Sequence, residues 1–379
     1  MIVNAQRKEL LMQVRKAARA AAAIHPVKEL SGILLEADER TGVVRMTATD
    51  LTAAIRSTLP AAVEKAGSAV VDARLFQDLL DKLPGDDVYM ELKGNGQLYI
   101  SGETARFHIS VMPGANYPKV DIPYPGDTVS VTGLKALVNR ALFAAAADTQ
   151  KAVYNCLNFM IGENGLRAVG CNGYCTVQVK GDPECRGNIS LLIPASSLKL
   201  LSAIAGDSDV FELGVTGSGG VSKNAVFSDG TTLFSTRLIE GVFVDTDKLF
   251  ADVAPVSSAR LSADQLRAAL DQLSGVSSQQ DTVAITVESG RLGLSCETDC
   301  GAAAAHIAAV IDRSTDETYY YTIKNLLGCA RTLKGSVTFC FTKNKALAVY
   351  GGDVRYLQLG VRPREKAKPK KAAREEAAA

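Results

Sequence analysis

The chain has 379 residues, 47% of them hydrophobic and 22% charged, with 42 Lys and Arg against 41 Asp and Glu and a formal net charge of +1. That composition excludes a disordered, collagen-like or coiled-coil protein, and the length points to about two to four ordinary domains. The near-zero balance also argues, at first sight, against a nucleic-acid partner, which requires a basic surface.

In chain order, the opening segment MIVNAQRKELLMQVRKAARAAAA is rich in Arg and Ala. A transit peptide has such a composition. Glu9 and the period of Leu10, Leu11, Val14, Ala17 and Ala18 favour an amphipathic helix over residues 6–23 instead. An alternating strand pattern follows, GILLEADERTGVVRMTATD, turning at ERTG. DARLFQDLLDKLP predicts a second helix over 73–82, and further strands turn at KGNG, residues 93–96. No apolar run approaches the roughly 20 residues that cross a bilayer, and the reduced thiols expected of the cysteines point to a cytoplasmic protein.

The same order then recurs twice. TGLKALVNRALFAAAA and SADQLRAALDQLS repeat the first helix, with Thr132 and Ser262 as expected N-caps. PASSLKLLSAIAG and YTIKNLLGCARTLKG repeat the second helix, starting near 194 and 321. The hairpins between them end at Thr49, Cys171 and Cys296, in steps of 122 and 125 residues. Three copies of one α+β pattern result, each of about 120 residues with strands outnumbering helices. Boundaries are expected at 1–125, 126–253 and 254–362, followed by a disordered basic tail at 363–379.

The repeat reveals where the charge lies. The six helical windows hold fourteen basic residues against six acidic ones, and the tail from Arg362 holds seven against three. Strands and loops are left with an acidic excess. A solvated helix surface collects Lys and Arg too, so the split gains weight only beside other signs.

Eight cysteines occur, without any CxxC pair. Cys171 with Cys175, and Cys296 with Cys300, have a spacing that zinc tolerates, but reduced, mostly buried thiols are the simpler expectation. No metal site and no cofactor is expected. Phosphate-loop, nucleophile-elbow and zinc-protease motifs are missing, and no acid–base pair assembles in the sequence. No catalytic residue is therefore assigned.

Several strings resemble the bacterial DNA polymerase III beta subunit, or sliding clamp, family. TATDLTAAIRSTLPA resembles its T-D-L…I-P-A strand, VDARLFQDLLDKLP its A-R-x-F…L-P helix, and RFHISVMPGANYPKVD the segment closing its first domain. TQKAVYNCLNF resembles its T-R-P-V-L stretch, with Lys151 in place of Arg, and TRLIEGVFVDTDKLF its L-I-E-G-x-F-P-D-Y segment. The resemblance implies three clamp-type domains, each with two helices packed on antiparallel sheets, in a head-to-tail dimeric ring. It implies a non-catalytic processivity factor around duplex DNA, with the polymerase III alpha subunit and a clamp loader as partners.

The resemblance makes Arg74 the leading DNA contact. Lys82, Lys135, Arg140, Gln150, Lys151, Lys199, Arg267, Lys324, Arg331 and Lys334 are supporting candidates. Phe107 and Ile109 match a subunit interface, opposite Leu270 and Leu273. A cleft for partner peptides would involve Tyr154, Cys171, Gly173, Tyr174, Thr176, Val244, Leu249, Leu357, Leu359 and Val361. Here the chain departs from the family: T-D-G-H-R-L reads Cys171 to Thr176, a Pro becomes Val244, and M-P-M-R-L reads Leu359 to Pro363. A different peptide preference is expected. That departure also keeps open a clamp-like interaction scaffold that does not encircle DNA. A metal- or thiol-dependent enzyme built on Cys171, Cys175, Cys296 and Cys300 is the weaker alternative.

Overall fold

The computed structural model describes residues 1–362 except 148, 219, 220, 279 and 280. The expected tail at 363–379 lies outside the described residues. The chain forms two compact units, one of residues 1–172 with 178–244, the other of residues 173–177 with the chain from Asp245 onward.

The first unit holds two copies of the repeat. In the first copy, strand Ile2–Gln6 leads into α1 (Arg7–Ala18), and strand Gly67–Asp72 leads into α2 (Ala73–Lys82). The second copy has α3 (Leu134–Ala141) and α4 (Ala195–Ile204). In the second unit, a short α5 (Thr246–Ala251) precedes α6 (Ala263–Ser274) and α7 (Ile323–Thr332). The helices pair as α1 with α2, α3 with α4, and α6 with α7. Apolar faces drive each pairing: Leu10 and Val14 with Phe76 and Leu80, then Val138 with Leu198 and Leu201, then Leu270 and Leu273 with Leu326, all at most 1% exposed.

The first two copies share one sheet. Strand Ala53–Pro60 of the first pairs antiparallel with strand Thr232–Arg237 of the second, with Ser57 opposite Thr232 and Ile55 opposite Phe234. The result is a nine-stranded sheet running from Met112–Pro113 to Thr128–Thr132. The boundary expected at 125 lies within the first of the two compact units. A second sheet of the first copy runs in the order Ala62–Lys65, Ile2–Gln6, Asp87–Lys93, Gln97–Ser101, Arg106–Ser110.

In the second unit, strand Gly301–Ile311 pairs with Arg291–Thr298 from Gly301 to Ala308. Its other edge meets Pro255–Ser262 only at Ala309 to Ile311. Among the described residues, no strand covers that edge from Gly301 to Ala308.

Several local expectations need correction. α1 ends at Ala18, not at 23, because Ala20 N–H turns back to the Ala17 carbonyl and Ala22 N–H donates to Leu30. α3 ends at Ala141 and passes into a 3-10 turn, Leu142–Ala144. Its N-cap is Gly133, whose φ of 64° suits glycine. Thr132 instead donates its hydroxyl to Asp182 at 2.6 Å. Ser262 holds the expected N-cap position of α6 without a side-chain cap bond. By contrast, Asp72 caps α2 by accepting from Leu75 N–H at 2.8 Å, a bond contributing about 1 kcal/mol. α5 had no sequence signal beyond Asp245, whose carboxylate accepts from Lys248 N–H at 3.1 Å.

Candidate nucleic-acid interface

The helix cations divide into two sets. The first set is committed within the helix pairs. Arg7, opening α1, donates from Nε to the Gly85 carbonyl at 2.8 Å and from Nη1 to the Leu80 carbonyl at 3.2 Å. Arg267 on α6 donates to the Leu333 carbonyl at 3.1 Å and pairs with Asp264 at 3.2 Å. Lys135 on α3 pairs at 3.1 Å with Asp207, just past α4. In every copy, then, a cation of the first helix sits at the C-terminal end of the second. Exposed carbonyls and the helix dipole favour positive charge there. Arg15 with Asp81 at 2.6 Å, and Arg331 with Asp271 at 3.8 Å, cross-link two of the pairs further.

The second set is uncommitted. Arg74, Lys82, Lys199, Lys324 and Lys334 are exposed and form no ion pair among the described residues. All five belong to the second helix of a copy or to the turn just after it. Arg19, the C-cap of α1, is likewise exposed and forms no ion pair among the described residues. Arg74 and Lys324 each take the second position of their helix. Gln150 and Lys151 are exposed in the loop after α3, with Lys151 Nζ 5.6 Å from the Tyr154 ring centre. Arg140 is half-buried on α3. The committed bonds of Arg267, Lys135 and Arg331 make these three weaker candidates than spacing alone suggests.

One basic surface escaped the residue-by-residue reading. An open groove of about 840 Å³ runs along α1 past the end of α4, lined by Arg7, Lys8, Met12, Arg15, Lys16 and Arg19 with Ile204 and Asp209. The charge count contained these cations, but only packing of the second copy against α1 makes them a groove.

The cleft residues do not all reach a surface. Cys171 and Thr176 are buried at 5% and 4% exposure and cannot line an open groove. Gly173 has a φ of 86° and carries the chain into Tyr174. Within the second unit, Tyr174 and Leu359 are exposed and joined by a backbone bond, Leu359 N–H to the Tyr174 carbonyl at 2.9 Å. Leu249, Leu357 and Val361 are half-buried, and Val361 N–H donates to the Tyr320 carbonyl at 2.9 Å. Tyr154 and Val244, both half-buried, belong to the first unit.

The expected subunit interface also changes. Leu270 and Leu273 are completely buried in their own helix pair, and neither can meet another chain. Ile109 is 8% exposed and Phe107 half-buried on the inner face of strand Arg106–Ser110. That strand is the last of its sheet, so its outer edge is open. The open edge from Gly301 to Ala308 is its counterpart in the second unit.

Five of the buried thiols are poor nucleophiles. Burial pushes the Cys156 thiol up to about 11 and also raises Cys185, Cys296, Cys329 and Cys340. No disulfide joins any of the eight cysteines, all of them described residues, and Cys300 alone is exposed. Among the described residues no cluster of His, Cys, Asp or Glu could hold a metal ion, and no helix is long and apolar enough to cross a membrane.

Residues 1–121 match the family model described as DNA polymerase III beta subunit, N-terminal domain. The beta sliding clamp of Staphylococcus aureus strain Mu50 is 27% identical over 238 residues, a stretch covering 59% of this chain and 60% of that protein's length. That of Micrococcus luteus is 26% identical over 248 residues, covering 64% and 77%. The crystal structure of the sliding clamp from Bacillus subtilis superposes with a TM-score of 0.86 at 20% identity, covering 96% of this chain and 100% of that one. At such identity the superposition establishes the fold, and the fold is that of the clamps.

Proposed function

We propose that this chain, a divergent relative of the beta sliding clamps, is a non-catalytic processivity factor that closes around duplex DNA as a head-to-tail dimer. Three domains per chain would then form half of a ring. The observation that carries the reading is the set of exposed helix cations without an ion pair: five on or just after the second helix of a copy, and Arg19 at the end of α1. A ring must attract phosphate without reading bases or holding one register. Diffuse Lys and Arg without a base-contacting constellation serve that need. Arg74, Lys82, Lys199, Lys324 and Lys334 are the assigned phosphate contacts, with Gln150 and Lys151 beside them.

Two copies would join by strand addition. The open edge Arg106–Ser110 of one copy would bond to the open edge Gly301–Ala308 of the other, satisfying bare backbone groups on both. Tyr174 and Leu359 offer an exposed apolar landing point for a partner peptide, from a polymerase alpha subunit or a clamp loader. The chain's own residues there depart from the family's string, so its peptide preference differs.

The test is retention on DNA of different topology. A loaded ring stays on a nicked circle and slides off after linearisation. Equal retention on both forms, or none on either, overturns the encircling reading and leaves a clamp-shaped interaction scaffold.

A further inference from the structure

The chain has only three histidines. Two of them lie on the two open strand edges. His108 sits on Arg106–Ser110 and His306 on the uncovered stretch of Gly301–Ile311. Both are exposed. Each strand has a buried face, carried by Phe107 and Ile109 on one and by Ile307 on the other. Joining the edges must keep the two buried faces on the same side, because a slip by one residue would expose them. His108 and His306 then share the solvent face of the joined sheet.

Parity limits the register. His108 can stand opposite Ala302, Ala304, His306 or Ala308, the outward positions of the other edge. Opposite His306 the two side chains are direct neighbours, about 5 Å apart between Cβ atoms. Opposite Ala304 or Ala308 they are diagonal neighbours about 7–8 Å apart. Only pairing with Ala302 separates them.

We infer that the seam between two copies is proton-sensitive, His108 of one copy and His306 of the other repelling each other once both are charged. The inference rests on the head-to-tail reading above. Around His108, the Tyr99 ring stacks on the imidazole at 5.7 Å between centres, and Lys93 Nζ lies 4.2 Å from the centre of the Tyr99 ring. Glu91 stands opposite Tyr99, one strand further in, and Arg106 adds a cation two residues away on the same face. Around His306, Gly293 stands opposite, and a Cβ placed there would lie 3.6 Å from His306 Nδ1 and 3.4 Å from Glu288 Oε1. Arg291 holds Glu288 at 2.7 Å. In the joined sheet the other copy brings Arg106 and His108, two cations, against His306. Histidine gains its charge as the pH falls through about 6 to 7. Repulsion is therefore absent above that range and grows below it.

The experiment measures the dimer dissociation constant of the full chain by sedimentation at pH 7.5 and pH 5.5, at one salt concentration, with circular dichroism checking that the chain stays folded. His108→Gln and His306→Gln are measured in parallel. The expected result is a dimer about tenfold weaker at pH 5.5, with either substitution abolishing most of the difference. A dimer equally tight at both pH values, or a pH effect that survives both substitutions, overturns the inference and leaves the head-to-tail reading standing. A monomer at both pH values overturns the reading itself and the inference with it.

Discussion

Lys16 Nζ and the Asp229 carboxylate lie 2.7 Å apart, with side chains 17% and 12% exposed, although 213 residues separate them in the chain. The pair ties α1 of the first copy to the turn before strand Thr232–Arg237 of the second. Lys16 also donates to the Thr232 hydroxyl at 3.1 Å. Burial pushes the Asp229 carboxyl up, but bonds from Lys16 and from Thr231 outweigh it and hold the group below its usual range. A depressed carboxyl contributes stability above its ordinary value of about 4, and that contribution fades as pH falls through the native value.

Asp229→Asn is accordingly expected to lower stability at pH 7 by about 1–3 kcal/mol, because Lys16 is left half-buried without its counter-charge. The deficit should shrink as the pH falls through the lowered value of the native carboxyl, where the parent loses that charge as well. Denaturant unfolding of both proteins at several pH values checks this, and a constant gap would show that charge is not the cause.

Capping cations and uncommitted cations should separate cleanly. Arg267→Gln removes the bond to the Leu333 carbonyl and is expected to cost about 1 kcal/mol of stability, with little change in DNA affinity. Lys324→Gln, on the partner helix, should leave the melting temperature in place and lower the salt slope of DNA binding by about 0.9 if it neutralises one phosphate. Melting curves and salt titrations on both variants give the comparison. A Lys324→Gln protein with unchanged salt slope removes that residue from the proposed contacts.

Thiol labelling should be selective. Only Cys300 is exposed, while burial raises Cys156 and Cys329 and slows thiolate formation. Native protein at pH 8 should take up one equivalent of a maleimide, and Cys300→Ser should take up almost none. Fast labelling of a second site would reveal local opening.

Tyr117 is a structural anchor with a readable signature. Its hydroxyl accepts from Thr49 N–H at 3.1 Å, and burial pushes it up to about 12. Tyr117→Phe leaves that N–H without its partner and should cost about 1–3 kcal/mol. Ultraviolet titration should show one tyrosine fewer ionising above pH 11 in the variant than in the parent.

Much of this architecture is legible in the amino-acid order. The 73–82 window coincides with α2, where Asp72 and the run of apolar residues mark both ends. The helix charge split led toward nucleic acid although the total did not. What pattern could not resolve is partnership. Arg267 and Lys324 look alike in sequence, yet one caps a neighbouring helix and the other faces solvent. The family resemblance places Leu270 and Leu273 at a subunit interface, and only the packing of α6 shows that they are core. Cys171 and Thr176 hold the positions of a surface motif in the chain, but their side chains turn inward. The run of alanines after Arg19 reads as helix by propensity, and a competing bond from Ala22 to Leu30 ends it.

The strand pairing of Ala53–Pro60 with Thr232–Arg237 makes two copies of the repeat share one sheet, so the repeat and the compact unit do not coincide. A fragment cut near residue 125 would contain a whole copy of the repeat, yet it would bare the edge of Ala53–Pro60 and lose Asp229 from Lys16. Such a piece would carry a long apolar edge ready to pair with any strand it met.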